Sequence, residues 1–302
     1  MENSFCRTRL ENHTSTVSDG FRSSVIANCV LNAFLSYTTI MLNSVTIHAI
    51  RKTLTLPKPL KTLLLSLAVS DLGVGLMVQP FWVVLWAVWL EVNIPSCSVY
   101  DAFTIILAVF SIATLFSVMA VTVDRFLAIH LHLRYQELVT HKRVVAVAIL
   151  IWVLSAFLSL LALWIPWDNS FVVFGIIDVI CLVTTSLLYC KIYLAVRRHR
   201  NQIQTLQLHE VARNNATTNF ARLKKSAVGT FYVYLVFLSC YLPQIFSYAA
   251  VTIVGFNAAT KHLLLHTPTL VFLNSCLNPL IYCWKMRHIR NAITDILRNI
   301  FT

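Results

Sequence analysis

Between Ala102 and Val123 the sequence contains twenty-two consecutive residues without a charged side chain. As an α-helix, this stretch is roughly 33 Å long, which is enough to cross the hydrocarbon core of a bilayer. Asp124 and Arg125 follow it directly. Two charges at the end of a lipid-length helix predict a functional ion pair at the membrane face. An arginine that only anchors the helix at the lipid headgroups is the open alternative.

The rest of the chain also has the composition of a membrane protein. Of its 302 residues, 58% are hydrophobic and 12% are charged, which is more apolar than a soluble domain requires. Seven apolar segments have the length of a spanning helix, at about residues 25–50, 60–86, 99–130, 144–165, 171–196, 226–254 and 263–284. We therefore expect an all-α, multi-pass membrane protein folded as a seven-helix bundle.

The basic residues indicate the orientation of the bundle. All but four of the 24 Lys and Arg residues fall in or beside one set of connecting loops, the exceptions being Arg7, Arg9, Arg22 and Lys261. By the positive-inside rule, this basic side is cytoplasmic and the N-terminus is extracellular. The net charge of +12 then reflects topology and attraction to membrane lipid, and it requires no nucleic acid. Asn12, in an Asn-His-Thr sequon, is a candidate glycosylation site on the outer side.

The predicted organisation has three parts. Residues 1–24 form an extracellular tail, residues 25–284 form the seven-helix domain, and residues 285–302 form a cytoplasmic C-terminus. Isoleucine and leucine residues of the segment 286–301 fall on one helical face, with the arginines off that face. This pattern predicts a short amphipathic helix on the inner surface of the membrane. The polar stretch Asn201–Asn219 is expected to be flexible.

Short motifs occur in order along the seven segments. They are Asn43; Leu67-Ala68-Val69-Ser70-Asp71; Asp124-Arg125-Phe126; Trp152; Tyr189; Cys240-Tyr241-Leu242-Pro243; and Asn278-Pro279-Leu280-Ile281-Tyr282. With these motifs, the chain resembles the rhodopsin-like (class A) G-protein-coupled receptors over nearly its whole length. The resemblance implies a plasma-membrane receptor that transmits the binding of an extracellular ligand to heterotrimeric G proteins.

The resemblance also implies roles for residues near the inner end. Arg125 is expected to pair with Asp124 at rest and to leave it on activation. The implied activation and coupling residues are Asp124, Arg125, Phe126, Tyr189, Tyr241, Pro243, Asn278, Pro279 and Tyr282. Members of the family often have an acidic residue near the base of the sixth helix as a second tether for the arginine, and here that position is Leu223. We therefore expect measurable basal activity.

Asp71 is a carboxylate near the middle of the bilayer, where an ionised group is costly unless it is paired or solvated. The resemblance implies an allosteric sodium ion bound at Asp71, within a polar network of Asn43, Asp71, Thr114, Asn274, Ser275 and Asn278. Oxygen ligands suit such a hard cation. A protonated Asp71 in a hydrogen-bond network without an ion is the open alternative. No other cofactor is expected.

The candidate ligand pocket lies in the outer half of the bundle. Its predicted residues are Gln79, Phe103, Leu107, Ser111, Val173, Tyr241, Gln244, Tyr248 and Phe272, with Trp82, Trp86, Asp178 and Leu270 as further lining. Each of them is also compatible with a purely structural place in the core or facing lipid. The mostly apolar set favours a small, hydrophobic or lipid-like ligand. A nucleoside-like ligand is what the resemblance to adenosine receptors, described next, implies.

The branch of the family is indicated by the inner side of the chain. A fifth helix without proline and a very short outer loop at residues 166–171 resemble the branch containing adenosine, melanocortin, lysophospholipid and cannabinoid receptors. Residues 133–140 and 189–198 are most similar to adenosine receptors. However, Tyr248 and Phe272 replace residues implied in nucleoside binding, and an amine receptor would need an acid at Leu107. A melanocortin-like peptide receptor is the alternative.

Two further questions concern the cysteines and the class of protein. The outer loop that usually supplies a disulfide partner has no cysteine, so a Cys6–Cys97 bridge is predicted on the oxidising side, with two free thiols as the open alternative. No nucleophile is paired with a base in the apolar segments, so an enzyme is not expected. An ion transporter or channel is the alternative from another class, because Asp71 and the asparagines could line an ion path.

Overall fold

The computed structural model describes residues 19–53, 56–92, 96–131, 134–165, 167–205, 210–285 and 287–301, and within these ranges it contains helices and no strand. The first helix is Asp19–Lys52, the third Cys97–His130, the fourth His141–Leu161, the fifth Trp167–Thr205, the sixth Glu210–Val254 and the seventh Ala258–Lys285. The second helix joins Lys58–Gly73, a π-helical turn Val74–Val78, and Gln79–Val92. The inner-loop helix Tyr135–Leu138, a 3₁₀ turn Ala162–Trp164 and the C-terminal helix Arg287–Phe301 complete the order.

The seven predicted segments all form long helices, but they differ in polarity. The first six are long and apolar enough to cross a membrane. The seventh is more polar because its buried side includes Asn274, Ser275 and Asn278, and it contains two internal prolines, Pro268 and Pro279. These polar residues are buried against other helices and do not face lipid. The seventh helix can therefore belong to the bundle although it is less apolar than the others.

Several predicted boundaries are wrong. The first helix begins at Asp19, six residues before its predicted start at residue 25. The fifth helix continues to Thr205 and the sixth begins at Glu210, so most of the stretch predicted to be flexible is helical. A helix that already spans the membrane can extend into the adjacent residues. Such an extension avoids the unfavourable step of forming a new first helical turn. The C-terminal helix begins at Arg287, one residue after its predicted start.

The third helix lies at the centre of the bundle. It packs against the second, fourth, fifth and sixth helices, and contacts between the first and seventh helices close the ring. Apolar residues on the outward faces are more than half exposed, as at Ile149, Phe157, Leu187 and Phe246. Such an apolar outer surface is what a lipid environment requires.

The buried apolar residues form two clusters. The inner cluster includes Leu67, Leu115, Phe237 and Tyr282, and it extends to Ile289 of the C-terminal helix. Ile289 is fully buried while Arg290 is exposed, so the amphipathic pattern of this helix is realised against the bundle. The outer cluster is largely aromatic and includes Trp82, Trp89, Phe103 and Phe272.

Candidate functional site

The inner end of the third helix holds the predicted ion pair. Arg125 donates to Asp124 Oδ2 from Nε, at 3.0 Å, and also from Nη2. Both side chains are only 4% exposed, so the pair is shielded from water. A charge-assisted contact of this kind is stronger than one between neutral groups. Arg125 is therefore held on its own helix, with its guanidinium paired to the adjacent residue.

Tyr135, in the inner-loop helix, is a third member of this site. Its hydroxyl donates to Asp124 Oδ1 at 2.6 Å, so both carboxylate oxygens have a donor. Burial raises the pKa of Tyr135, as does the negative charge of Asp124, so the hydroxyl keeps the proton it donates. This contact was not predicted, because Tyr135 is eleven residues from Asp124 across a helix end, and such a separation carries no fixed geometry.

The other predicted activation residues lie on neighbouring helices. Tyr189 is hydrogen-bonded to Thr122 and Thr230, so it joins the third, fifth and sixth helices. Phe126 stacks on His130 one turn away, with ring centroids 5.3 Å apart. Pro243 and Pro279 lie inside the sixth and seventh helices. Tyr282 is buried, and its hydroxyl has no hydrogen-bond partner among the described residues.

The predicted polar network is buried between the second and seventh helices. Asn278 Nδ2 donates to Asp71 Oδ2 at 2.8 Å, and Ser275 is also hydrogen-bonded to Asp71. Asn43 instead donates to the backbone carbonyl of Ser275, and Thr114 donates to Ser70. These two residues were predicted as neighbours of Asp71, but neither is hydrogen-bonded to its carboxylate.

Several oxygens in this network have no hydrogen-bond partner within the described part of the chain. They are Asp71 Oδ1, Asn43 Oδ1, Asn274 Oδ1 and Asn278 Oδ1. Orphaned buried acceptors are costly unless water or a cation satisfies them. A carboxylate among amide oxygens is the donor set that a hard cation prefers. The residues present therefore fit the predicted sodium ion, with Asp71 as its charged ligand.

A cavity of about 190 Å³ lies in the outer half of the bundle. Seven of the nine predicted pocket residues line it: Phe103, Leu107, Ser111, Tyr241, Gln244, Tyr248 and Phe272. Trp82, Trp86 and Asp178 line it as well, and so do residues that were not predicted in the pocket, including Phe21, Trp89, Phe171, Phe174 and Lys261. The walls are thus mostly aromatic, with a few polar groups between them.

Three predictions for this pocket are wrong, because Gln79, Val173 and Leu270 do not line the cavity. The fifth helix presents Phe174, Ile177 and Asp178, which share one face by their spacing of three and four residues. Val173 lies four positions before Ile177, at the edge of this face, and is not part of the lining. Gln79 follows the π-helical turn, whose extra residue per turn rotates the positions after it. Leu270 is exposed on the outside of the seventh helix.

The cavity and the inner core are joined through the sixth helix. Tyr241 is part of the cavity wall, and its ring stacks on that of Phe237 with centroids 4.1 Å apart. Phe237 belongs to the inner cluster and is 1% exposed. A displacement of Tyr241 by a bound molecule would therefore press directly on the packed inner half.

A second polar cluster connects the outer parts of the first, second and seventh helices. Trp82 Nε1 donates to Asn28 Oδ1 at 2.9 Å, and Asn28 Nδ2 donates to Thr269 Oγ1 at 2.9 Å. Asn32 donates to both Asn28 and Thr269. These contacts fix the indole ring that faces the cavity. The sequence feature that indicates this cluster is the pair Asn28 and Asn32 in an apolar helix. Their spacing of four residues places both on one face.

Cys97 at the start of the third helix is disulfide-bonded, which excludes the alternative of a free thiol at this position. Its predicted partner, Cys6, lies outside the described residues, as does the glycosylation site Asn12. The pairing with Cys6 therefore stays a prediction. Six other cysteines, all within the described ranges, are free.

The comparison with known families decides the class of protein. The chain matches the family described as 7 transmembrane receptor (rhodopsin family) over residues 42–173 and 166–282. The chain belongs to this family. It is a G-protein-coupled receptor and a multi-pass protein of the plasma membrane, and not an enzyme. The family match disfavours the alternative, raised by the sequence, that the protein is an ion transporter or channel.

Similar proteins support this assignment and widen it. The receptor is 34% identical to the adenosine receptor A2b of Gallus gallus over 141 residues, which is 47% of this chain and 40% of the relative. It is 27% identical to the histamine H2 receptor of Canis lupus familiaris over 255 residues, 78% of this chain and 69% of the relative. It is 26% identical to the adenosine receptor A2a of the same species, over 78% of this chain and 63% of the relative. The adenosine-receptor similarity is confirmed, and the histamine H2 receptor is similar over a larger share of this chain than the A2b receptor, at lower identity.

Proposed function

We propose that this receptor binds a small, largely apolar organic ligand in the outer cavity and passes the signal through Tyr241 to the Asp124–Arg125 pair, which activates a heterotrimeric G protein. The observation that carries the proposal is the aromatic cavity whose wall residue, Tyr241, stacks on Phe237 of the inner cluster. The cavity volume of about 190 Å³ favours a small molecule over a peptide, since pockets for drug-sized ligands measure roughly 300–1,000 Å³.

The transmission route follows from the contacts of the sixth helix. Pro243 removes one backbone hydrogen-bond donor between Tyr241 and the outer end, so the helix bends more easily there. A ligand that displaces Tyr241 would change this bend and move the inner segment that carries Thr230. Because Tyr189 joins Thr230 to Thr122, that movement would reach the third helix beside Arg125. Arg125 would then exchange its contact with Asp124 for one with the G protein.

A nucleoside is the second candidate ligand. The similarity to adenosine receptors favours it, as does Gln244 Oε1, a buried acceptor in the cavity wall with no partner among the described residues. Adenosine should then raise the midpoint of thermal unfolding of the purified receptor, and Gln244→Leu should abolish that rise. The absence of any rise with adenosine would exclude this candidate.

Nucleotide exchange on purified G protein tests the coupling role of Arg125. The variant Arg125→Gln should reduce exchange by at least about tenfold, because the guanidinium is the group offered to the G protein. The matched control is Arg134→Gln, an exposed arginine of the same inner region, which should retain exchange. Surface expression of both variants must equal that of the wild type. Unchanged exchange with Arg125→Gln, or ion flux without any exchange, would contradict the proposal.

We also propose that a sodium ion binds at Asp71 with the neighbouring amide and hydroxyl oxygens as its other ligands. When bound, the ion would neutralise the buried carboxylate and hold the second and seventh helices together. Sodium chloride should then raise the midpoint of thermal unfolding relative to choline chloride at equal ionic strength. Asp71→Asn should remove this difference, since it removes the only charged ligand. A sodium effect that persists in Asp71→Asn would place the ion elsewhere.

A further inference from the structure

The lining of the ligand cavity includes one carboxylate. Asp178 of the fifth helix lines the cavity and is only 7% exposed. Among the described residues it has no hydrogen bond and no ion pair. An ionised carboxylate in such a place is unfavourable until a cation or a set of donors satisfies it. Because the side chain opens onto the cavity, its partner can be a molecule that enters there.

We propose that Asp178 is the counter-ion for a cationic ligand, a small organic amine with an aromatic or aliphatic body. The proposal rests on the outer cavity being the ligand site, and it specifies the charge of that ligand. It places the acid on the fifth helix, whereas the third helix has Leu107 where an amine receptor of this family would need one. The ammonium group would pair with the carboxylate, in the arrangement that buried charges require.

The groups around Asp178 suit an ammonium. The phenol rings of Tyr241 and Tyr248 lie close enough to Asp178 to interact with it electrostatically, and both line the cavity. Phenol oxygens can accept further hydrogen bonds from an amine, which carries up to three donors. The faces of these rings also attract cations. The charged head of the ligand would thus lie between the fifth and sixth helices.

The aromatic part of the cavity wall suits the body of such a ligand. Trp82, Trp86 and Phe103 form a continuous aromatic wall, with Trp82 5.6 Å from each of the other two ring centroids. Asp178 is on the fifth helix, while this wall comes from the second and third helices, so the charged head and the body of the ligand would contact different helices. An apolar body attached to the ammonium would fill this space and contact flat aromatic surfaces.

The other charged residue of the lining does not neutralise Asp178. Lys261 stands in the first turn of the seventh helix, at the outer end of the cavity, and Asp178 forms no ion pair with it. The cavity lining therefore has one basic residue, Lys261, at its outer end and one acidic residue, Asp178, further in. An anionic ligand would have to place its charge at this rim, away from the aromatic wall.

Binding to the purified receptor tests the proposal without any G protein. The probes are 2-phenylethylamine, histamine, tryptamine and tetramethylammonium, with 2-phenylethanol and adenosine as neutral comparators. At least one amine should raise the midpoint of thermal unfolding in a saturable manner, and 2-phenylethanol should bind more weakly than 2-phenylethylamine. Asp178→Asn keeps the shape of the side chain and should weaken binding of the amine by about tenfold or more, as for other truncated buried charge pairs.

The matched control is Asp101→Asn, which removes an exposed acid of the third helix outside the cavity lining and should leave the affinity unchanged. Equal loss in both variants would indicate long-range attraction and overturn the proposal. So would an unchanged affinity in Asp178→Asn, tighter binding of the neutral alcohol, or no binding by any of the four amines. Basal nucleotide exchange measured on the same preparations reports coupling separately. If basal exchange persists but no amine binds, only the proposed ligand class is rejected. If an amine binds but no exchange occurs, the proposed coupling to a G protein is rejected.

Discussion

Tyr135 shows how one hydroxyl outside the spanning helices can affect the resting state. It donates to Asp124 Oδ1 while Arg125 occupies Oδ2, so the carboxylate is fixed from both sides. A hydrogen bond to a charged group contributes about 1.5–3 kcal/mol. Without it, the carboxylate would rotate or take up a proton more readily, and Arg125 would be held less firmly.

The variant Tyr135→Phe should therefore raise basal nucleotide exchange by about tenfold or more, since each 1.4 kcal/mol corresponds to about a factor of ten. Its matched control is Tyr193→Phe, whose ring is 65% exposed on the outer surface of the fifth helix. Exchange is measured with purified G protein at equal receptor concentration. An unchanged basal rate in Tyr135→Phe would mean that this contact does not restrain Arg125.

For single residues, contacts between neighbours in the sequence could be predicted. Contacts that depend on how the chain folds could not. Asp124 and Arg125 are adjacent, so their pairing needed no tertiary information. Val173 and Asp178 were both predicted in the pocket, but five positions on a helix differ by about 140° in direction, so their places relative to one cavity depend on how the helix is rotated. The structure selects Asp178.

The second helix shows a comparable limit at the scale of an element. Its existence and approximate length followed from apolarity, but the π-helical turn Val74–Val78 has no clear signature in the sequence. The turn changes the phase of every later residue, which is why Trp82 and Trp86 face the cavity and Gln79 does not. Gln79 is instead fully buried, and both of its amide atoms lack partners among the described residues.

Close contact between the second and third helices depends on a glycine. At Gly73 the ring of Phe110 occupies the position that a Cβ would take, and the same ring packs edge-on against Trp152, with centroids 5.9 Å apart. Gly73→Ala should lower the free energy of unfolding by about 1–3 kcal/mol, the range for an overfilled core. Gly175→Ala is the control, because its nearest neighbour would be 3.8 Å from the added carbon. Thermal unfolding in the same detergent compares the two, and equal midpoints would show that Phe110 moves aside freely.

For the whole molecule, the balance between resting and active states depends on contacts at the inner ends of the helices. The lysine at the end of the seventh helix, Lys285, places its ammonium 3.9 Å from the ring centre of Tyr232 on the sixth helix and 3.4 Å from that of Trp284. Such cation–π contacts contribute about 0.5–2 kcal/mol. They restrain the sixth helix, but more weakly than a buried ion pair to Arg125 would.

The sequence offers no such ion pair at the base of the sixth helix, where Leu223 stands between Arg222 and Lys224. We therefore expect the wild-type receptor to catalyse nucleotide exchange measurably without a ligand. Leu223→Glu should lower this basal rate several-fold, because a carboxylate there would give Arg125 a second partner in the resting state. Leu223→Gln has nearly the same shape without the charge and should leave the rate close to that of the wild type. A wild-type receptor that is silent without ligand, or equal rates in the Glu and Gln variants, would show that the inner restraint does not depend on this missing charge.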